Sequence, residues 1–212
     1  MHDSSAAPPR LILASSSPYR RALLERLRIA FDVCVPSLDE APRAGEAPAA
    51  TALRLAQAKA RAVAQREAAT QSPGQAAPLL VIGSDQVATF DGLQIGKPGT
   101  HAKALEQLRA MRGRTVEFHS ALCLFESARG IAQTEDVVTR VRFRDLPDAE
   151  LEAYLRAETP YDVAGSAKSE GLGIALLETV ESNDPTALVG LPLIALTRML
   201  RAAGYPLFGG AR

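Results

Sequence analysis

The chain has 212 residues, and its 24 lysines and arginines balance 24 aspartates and glutamates, giving a formal net charge of +0. This neutrality, with only 5% aromatic residues, argues against nucleic acid as the main partner. No apolar stretch of the sequence approaches the ~18 residues of a membrane-spanning helix. A chain of this length can bury a full hydrophobic core, and we expect a single domain over residues 10–208.

The N-terminal residues and the cysteines indicate the cellular compartment. Residues 1–9 lack the basic and apolar regions of a secretion signal, and they predict a disordered extension. Cys34 and Cys123 lie far apart in apolar segments and fit no metal-binding spacing. We interpret them as buried free thiols in a reducing cytoplasm.

The segment LILASSSPYRR, residues 11–21, is the most informative part of the chain. Its apolar run predicts a buried strand, and Pro18 suits the first turn of a helix that runs to about Leu27. A strand, a hydroxyl-rich turn and a helix N-terminus together form a site that can bind an anion. The following Arg20 and Arg21 add donors that match phosphate oxygens. The alternative is an N-capping serine followed by solvated arginines.

The next predicted elements continue to the middle of the chain. Ala30–Val35 predicts a strand, and residues 49–68 predict a helix with Lys59 at the edge of its apolar face. A Gly/Pro/Gln-rich loop follows at residues 71–78. The run LLVIGSDQVATF then predicts a strand, a kink at Gly83–Ser84 and a second strand, and Asp91–Gly92 predicts a hairpin.

The second half of the chain alternates between helices and strands. The predicted helices cover residues 102–111, 148–157 and 191–203, and the predicted strands cover residues 115–126, 131–143 and 174–177. Residues 137, 139, 141 and 143 alternate with polar neighbours, which is typical of a sheet with one solvated face. Interleaved strands and helices predict an α/β or α+β architecture with a mixed sheet.

Several charged residues at the ends of apolar segments suggest phosphate chemistry. Asp85 directly follows a buried strand, and Asp39 and Glu40 follow another strand end. Only four of the 24 basic residues are lysines, so a retained lysine such as Lys59 or Lys97 is a candidate for a specific task. Carboxylates, cations and a hydroxyl-rich turn suit a triphosphate with a divalent metal.

Each of these residues also has a purely structural interpretation. Asp85 could cap a turn, Glu40 could be a solvated acid, and Lys97 could be an ordinary turn lysine. The sequence contains no GxxxxGK[ST] loop and no HExxH motif. No histidine lies in a catalytic context, so any phosphate chemistry would depend on carboxylates.

Taken together, the motifs resemble the Maf family of nucleoside-triphosphate pyrophosphatases. They are LILASSSPYRR, the DE pair, LAQAKA, IGSDQV, GKP and AGSAKSEG, followed by NDPTALVGLPL near the C-terminus. The resemblance implies a Maf/ITPase-like α/β fold, with a central mixed β-sheet, flanking helices and a cleft between two lobes. It also implies a cytoplasmic enzyme, often dimeric, that requires a divalent cation such as Mg²⁺ or Mn²⁺. Such an enzyme cuts between the α and β phosphates of a nucleotide.

The resemblance also implies roles for individual residues. Asp85 would accept a proton from water, and Glu40 would join Asp85 around the metal. Cationic and hydroxyl side chains would hold the triphosphate. Two of them, Lys59 and Lys97, would also be catalytic residues, and the others would only bind substrate: Ser15, Ser17, Arg20 and Lys168.

Three positions bear on the choice of base. The branch that acts on dTTP and UTP has arginine, threonine and glutamine where this chain has Tyr19, Gln86 and Glu170. The present pattern resembles the branch that acts on 7-methyl-GTP, whose N7-methylated base is positively charged. An aromatic face and a carboxylate both suit such a cation. The alternatives are a pyrophosphatase for dTTP, UTP or another modified nucleotide, and a nucleotide-binding regulator of septum formation.

Overall fold

The computed structural model describes residues 9–70 and 78–208, which form one mixed β-sheet with helices packed around it. Its strands are β1 (Arg10–Ala14), β2 (Asp32–Val33), β3 (Leu79–Phe90), β4 (Leu93–Ile95), β5 (Thr115–Glu126), β6 (Ile131–Phe143) and β7 (Leu177–Glu181). Its α-helices are α1 (Pro18–Glu25), α2 (Pro48–Ala69), α3 (His101–Met111), α4 (Asp148–Glu158) and α5 (Leu193–Ala202).

The strand order in the sheet is β2-β1-β3-β5-β6-β7, and β4 pairs with the end of β3. Strand β1 runs parallel to β2 and β3, whereas every other pairing is antiparallel. The predicted α/β class, with a central mixed sheet and flanking helices, is therefore confirmed.

The hydrophobic core divides according to the faces and ends of the sheet. Alternate residues of β3 point to opposite faces, so Leu80 and Ile82 pack with α1 and α5 whereas Leu79 and Val81 pack with α2. A separate cluster at the other end of the sheet joins α3 and α4 to β5 and β6, with Phe118 among its buried residues. One end of the sheet is thus covered on both faces, and the other end has its own core.

Strand β3 runs without interruption through Gly83, so the predicted kink at Gly83–Ser84 is wrong. The glycine serves a different purpose, because α2 crosses directly above it. A Cβ atom at position 83 would lie 2.1 Å from the Ala56 carbonyl oxygen and 2.9 Å from the Ala60 nitrogen. A bare backbone at this point lets helix and strand approach closely.

Other boundaries differ from the sequence-based expectations at the edges of the sheet. The second strand is reduced to Asp32–Val33, since it pairs only with β1 and leaves Val35 exposed. The strand predicted at residues 174–177 begins later, at Leu177, after a 3₁₀ segment. Here Gly173 folds back on the backbone of Lys168, where a Cβ atom would lie 2.5 Å from the Lys168 nitrogen.

Several predictions for local features are confirmed. Asp91 and Gly92 both have positive φ (50° and 77°) and form the tight turn between β3 and β4. Residues 137, 139, 141 and 143 are buried along β6, with more exposed neighbours between them. Cys34 and Cys123 are buried and unbridged, and burial raises the pKa of Cys123 to about 11.

Two sequence-based predictions fall mostly on residues that the structure does not describe. They are the N-terminal extension, apart from Pro9, and the loop at residues 71–78, apart from Pro78. Among the helices within residues 9–70 and 78–208, none combines the length and the apolar character that crossing a bilayer requires.

The contact at Gly83 makes a testable prediction about stability. We expect Gly83→Ala to lower the free energy of unfolding by about 2 kcal/mol, because the added methyl group would push α2 away from β3. Urea unfolding followed by circular dichroism measures this change. The matched control is Gly96→Ala, where a Cβ atom has no neighbour within 4 Å and the stability should stay within about 0.5 kcal/mol. Equal stability of the two variants would contradict the close contact.

Candidate active site

A single cavity of about 480 Å³ brings together most of the residues singled out in the sequence. Its walls come from both ends of the sheet: the serine turn and α2 on one side, and the segments after β4 and α4 on the other. The predicted residues that line it are Ser15, Ser17, Tyr19, Arg20, Glu40, Lys59, Asp85, Gln86 and Lys97. The remaining two, Lys168 and Glu170, lie elsewhere, as described below.

A buried ion pair between α2 and β3 forms part of the cavity lining. The Lys59 ammonium donates to Asp85 Oδ1 at 2.7 Å and to Glu40 Oε2 at 2.9 Å. Lys59 and Asp85 are buried, whereas the Glu40 side chain is about half exposed. Lys59 therefore lies within the buried face of α2, not at its edge as predicted. Because an unpaired buried carboxylate is costly, the ammonium both compensates and orients Asp85.

The serine turn joins β1 to α1 through side-chain hydrogen bonds. Ser17 is the N-cap of α1, and its hydroxyl accepts from the Arg20 N–H at 3.3 Å. Ser15 Oγ accepts from the Ser17 N–H at 3.1 Å, and Pro18 occupies the first helical turn. The N-capping serine of the structural alternative is thus observed, whereas Arg20 is partly buried and not solvated as that alternative supposed. The positive end of α1 also lines the cavity.

Arg20 connects the serine turn to the segment that precedes α5. Its Nε donates to the Gly190 carbonyl at 2.9 Å, and Ser84 Oγ donates to the same oxygen at 2.9 Å. Burial lowers the pKa of the Arg20 guanidinium, and Asp85 and Glu40 oppose that shift. The guanidinium remains charged, since its ordinary pKa is far above neutrality.

The segment before α5 is anchored by residues that the sequence analysis did not assign to the site. Asp184 is 2% exposed and accepts from the backbone N–H groups of Thr186, Ile194 and Ala195. It thereby satisfies free N–H groups at the start of α5, where no N-cap side chain is present. The only signal in the sequence was the family-like NDPTALVGLPL run.

The three positions that predict base preference lie close together in space. Tyr19, Gln86 and Glu170 line a recess of about 30 Å³ that shares Tyr19 and Gln86 with the main cavity. Phe118 forms another part of its lining. The Gln86 amide nitrogen lies within hydrogen-bond distance of Ser120 Oγ and of the carbonyl oxygens of residues 187 and 188, so its orientation is fixed by the protein.

Lys168 lies near this recess and is absent from the lining of the main cavity. Its ammonium is 3.1 Å from Glu158 Oε1 and 5.6 Å from the centre of the Tyr19 ring. The hydrogen bond with Glu158 raises the pKa of Lys168. The Leu172 N–H and Lys168 in turn lower the pKa of Glu158.

The loop that carries Lys97, after β4, is held against the segment that follows α4. Lys97 is exposed and precedes Gly99, whose N–H donates to the Tyr161 carbonyl at 3.0 Å. The His101 ring contacts Tyr161 Oη at 2.9 Å and Glu152 Oε2 at 3.0 Å. These contacts hold the Lys97 loop against the segment that supplies residues 162–164 to the cavity.

Asp85 and Glu40 are the carboxylates of the cavity that could bind a metal ion. Across residues 9–70 and 78–208, no group of three or more His, Cys, Asp or Glu side chains is arranged to hold a metal ion. Asp85 and Glu40 nevertheless converge on one point, which the Lys59 ammonium occupies. Two carboxylates suit Mg²⁺, which keeps several waters and takes further oxygen ligands from substrate phosphates.

Comparison with known proteins gives close relatives over nearly the whole chain. The 7-methyl-GTP pyrophosphatase of Paraburkholderia xenovorans (strain LB400) is 76% identical over 209 residues, which is 99% of each chain. Proteins of the same name from Burkholderia pseudomallei (strain 1710b) and Cupriavidus pinatubonensis are 73% and 66% identical. The alignments cover 99% and 97% of this chain and 94% and 98% of those relatives.

The family model described as Maf-like protein matches residues 10–203, which include every wall of the cavity. The resemblance seen in the sequence motifs is thereby confirmed, and the chain belongs to the Maf family.

Proposed function

We propose that this protein is a pyrophosphatase that hydrolyses 7-methyl-GTP to 7-methyl-GMP and diphosphate, removing a modified nucleotide. The observation that carries the proposal is the identity of 66% to 76% with relatives named 7-methyl-GTP pyrophosphatase. The cavity agrees with that activity, since it holds a buried carboxylate between cationic side chains and an aromatic recess.

The triphosphate is assigned to the end of the cavity that surrounds the serine turn. There the N-terminus of α1 and Arg20 supply positive charge and N–H donors, and Lys97 supplies a further cation from the wall that follows β4. The hydroxyls of Ser15 and Ser17 shape the turn, as their internal hydrogen bonds show. Lys168 lies beside the recess with its ammonium on Glu158, so this proposal places it near the base.

Asp85 is the proposed general base. Its carboxylate accepts a proton from a water molecule as the water oxygen attacks the α-phosphorus. The bond from the α-phosphorus to the bridging oxygen then breaks, and that oxygen leaves with the diphosphate. The hydrogen bond from Lys59 holds Asp85 in one orientation, and burial of the pair limits competition from bulk water.

Asp85 and Glu40 are the proposed ligands of a divalent cation, Mg²⁺ or Mn²⁺. Lys59 bonds one oxygen of each carboxylate, which leaves Asp85 Oδ2 and Glu40 Oε1 to face a cation whose other ligands would be water and phosphate oxygens. When bound, such a cation offsets negative charge on the phosphates. Glu40 is about half exposed and follows a turn, so it can adjust its position more easily than Asp85.

The base is proposed to bind in the main cavity, against Tyr19 and the mouth of the recess, because the recess itself is too small to hold a purine. The Tyr19 ring offers a face to the positively charged 7-methylguanine, an interaction worth roughly 0.5–2 kcal/mol. The Glu170 carboxylate can accept hydrogen bonds from the guanine N1–H and amino groups. We further propose that the enzyme acts in the cytoplasm as one domain over residues 10–208, and that two copies associate as a homodimer.

A panel of nucleotides tests the proposed activity. Diphosphate release from 7-methyl-GTP, GTP, dTTP, UTP and ITP is measured with Mg²⁺ or Mn²⁺, and again with excess chelator. We expect the highest kcat/KM for 7-methyl-GTP, and loss of activity in chelator that added metal restores. Preference for dTTP or UTP would contradict the base assignment. Nucleotide binding without any turnover would favour a regulatory protein.

Substitution of the proposed base tests its role. We expect Asp85→Asn to lower kcat by about 10²–10⁴-fold, because the amide cannot accept the proton, while nucleotide binding measured without metal changes little. Single-turnover kinetics and equilibrium binding separate the two effects. Asp145→Asn is the matched control, since Asp145 is exposed and absent from the cavity lining. Wild-type kcat in Asp85→Asn would exclude Asp85 as the base.

A further inference from the structure

A second carboxylate, that of Asp162, lies beside the proposed base-binding site, and the sequence analysis gave it no role. Asp162 follows α4 and lines the main cavity. The Tyr19 hydroxyl donates to Asp162 Oδ2 at 3.3 Å. The contact joins two segments 143 positions apart in the chain, so it fixes the Tyr19 ring relative to the opposite wall.

The charged groups around Tyr19 are mainly negative. Asp162 and Glu170 both raise the pKa of the Tyr19 hydroxyl, after the larger effect of burial, and Lys168 lowers it. The Lys168 ammonium is already paired with Glu158 at 3.1 Å. Lys168 therefore compensates the charges of Asp162 and Glu170 only in part. Because the pKa of the Tyr19 hydroxyl is raised, Tyr19 stays protonated and can donate to Asp162.

The same cavity also holds cationic groups. Arg20 and Lys97 line it, and so does the N-terminus of α1, in which Tyr19 is the second residue. A molecule that meets both kinds of group is negatively charged in its phosphates and positively charged in its base. Among guanine nucleotides, methylation at N7 produces this combination, whereas an unmodified guanine base is neutral.

Resting on the function proposed above, we propose that Asp162 is a specificity-determining residue that selects a positively charged base. Its carboxylate acts in two ways. It holds the Tyr19 ring through the hydroxyl, and it adds fixed negative charge to the wall beside the ring. Because Asp162 is exposed, solvent and salt screen this charge, and the expected effect is moderate.

The test compares kcat/KM for 7-methyl-GTP and GTP in the wild type, Asp162→Asn and the control Asp145→Asn. Asparagine keeps the size of Asp162 and an oxygen that accepts from Tyr19, so it removes mainly the charge. We expect Asp162→Asn to reduce the preference for 7-methyl-GTP by about two- to fivefold, the scale of an exposed charge interaction. The loss should appear as a larger rise in KM for 7-methyl-GTP than for GTP.

Binding of the products provides a second measurement that does not depend on turnover. Calorimetry at low and high salt should show that Asp162→Asn weakens binding of 7-methyl-GMP more than of GMP, and that salt reduces the difference. Tyr19→Phe removes the hydroxyl but keeps the ring and the Asp162 charge, so it should retain more of the preference than Asp162→Asn.

The outcomes separate this inference from the proposed function. A wild type that prefers 7-methyl-GTP, with the same preference in Asp162→Asn, would overturn the inference and leave the function intact. An equal decrease in kcat/KM for both nucleotides would also overturn the inference, because Asp162 would then have a structural role that does not depend on the charge of the base. A wild type that fails to hydrolyse 7-methyl-GTP would overturn the function and this inference together.

Discussion

The close approach of α2 to β3 at Gly83 is the constraint on which the site depends. Gly83 and Asp85 lie two residues apart on one strand and therefore point to the same face of the sheet. Ala56 and Ala60 contact the glycine, and Lys59, next to Ala60 in the helix, contacts Asp85. Because Gly83 lets α2 pack close to β3, the Lys59 ammonium can reach the Asp85 carboxylate.

The cavity combines cationic groups with carboxylates and an aromatic ring. Arg20 and the N-terminus of α1 line it, and so do Tyr19, Asp85 and Asp162. Residues 187–190 connect the serine turn to the recess, because Arg20 and Ser84 bind the Gly190 carbonyl while Gln86 binds the carbonyls of residues 187 and 188. This segment therefore fixes the position of Arg20 relative to Gln86.

The sequence was sufficient for the elements whose signals are local. The strands at residues 115–126 and 131–143 agree with their predicted bounds, because hydrophobic alternation and a tight turn define them. The role of Gly83 was not predictable, because a glycine in a strand is expected both at a kink and where a helix packs closely against the strand. Asp162, Asp184 and Glu158 were also missed, because their partners lie far away in sequence. Lys168 was placed with the phosphates by motif, and only the fold puts it beside Tyr19.

The proposed reaction requires water to attack the α-phosphorus of the nucleotide, where Asp85 would accept its proton. Hydrolysis of 7-methyl-GTP in ¹⁸O-labelled water, with mass spectrometry of both products, shows which phosphorus is attacked. Attack at the α-phosphorus puts one labelled oxygen in 7-methyl-GMP and none in the diphosphate. Label in the diphosphate would mean attack at the β-phosphorus, and it would contradict this account of the site.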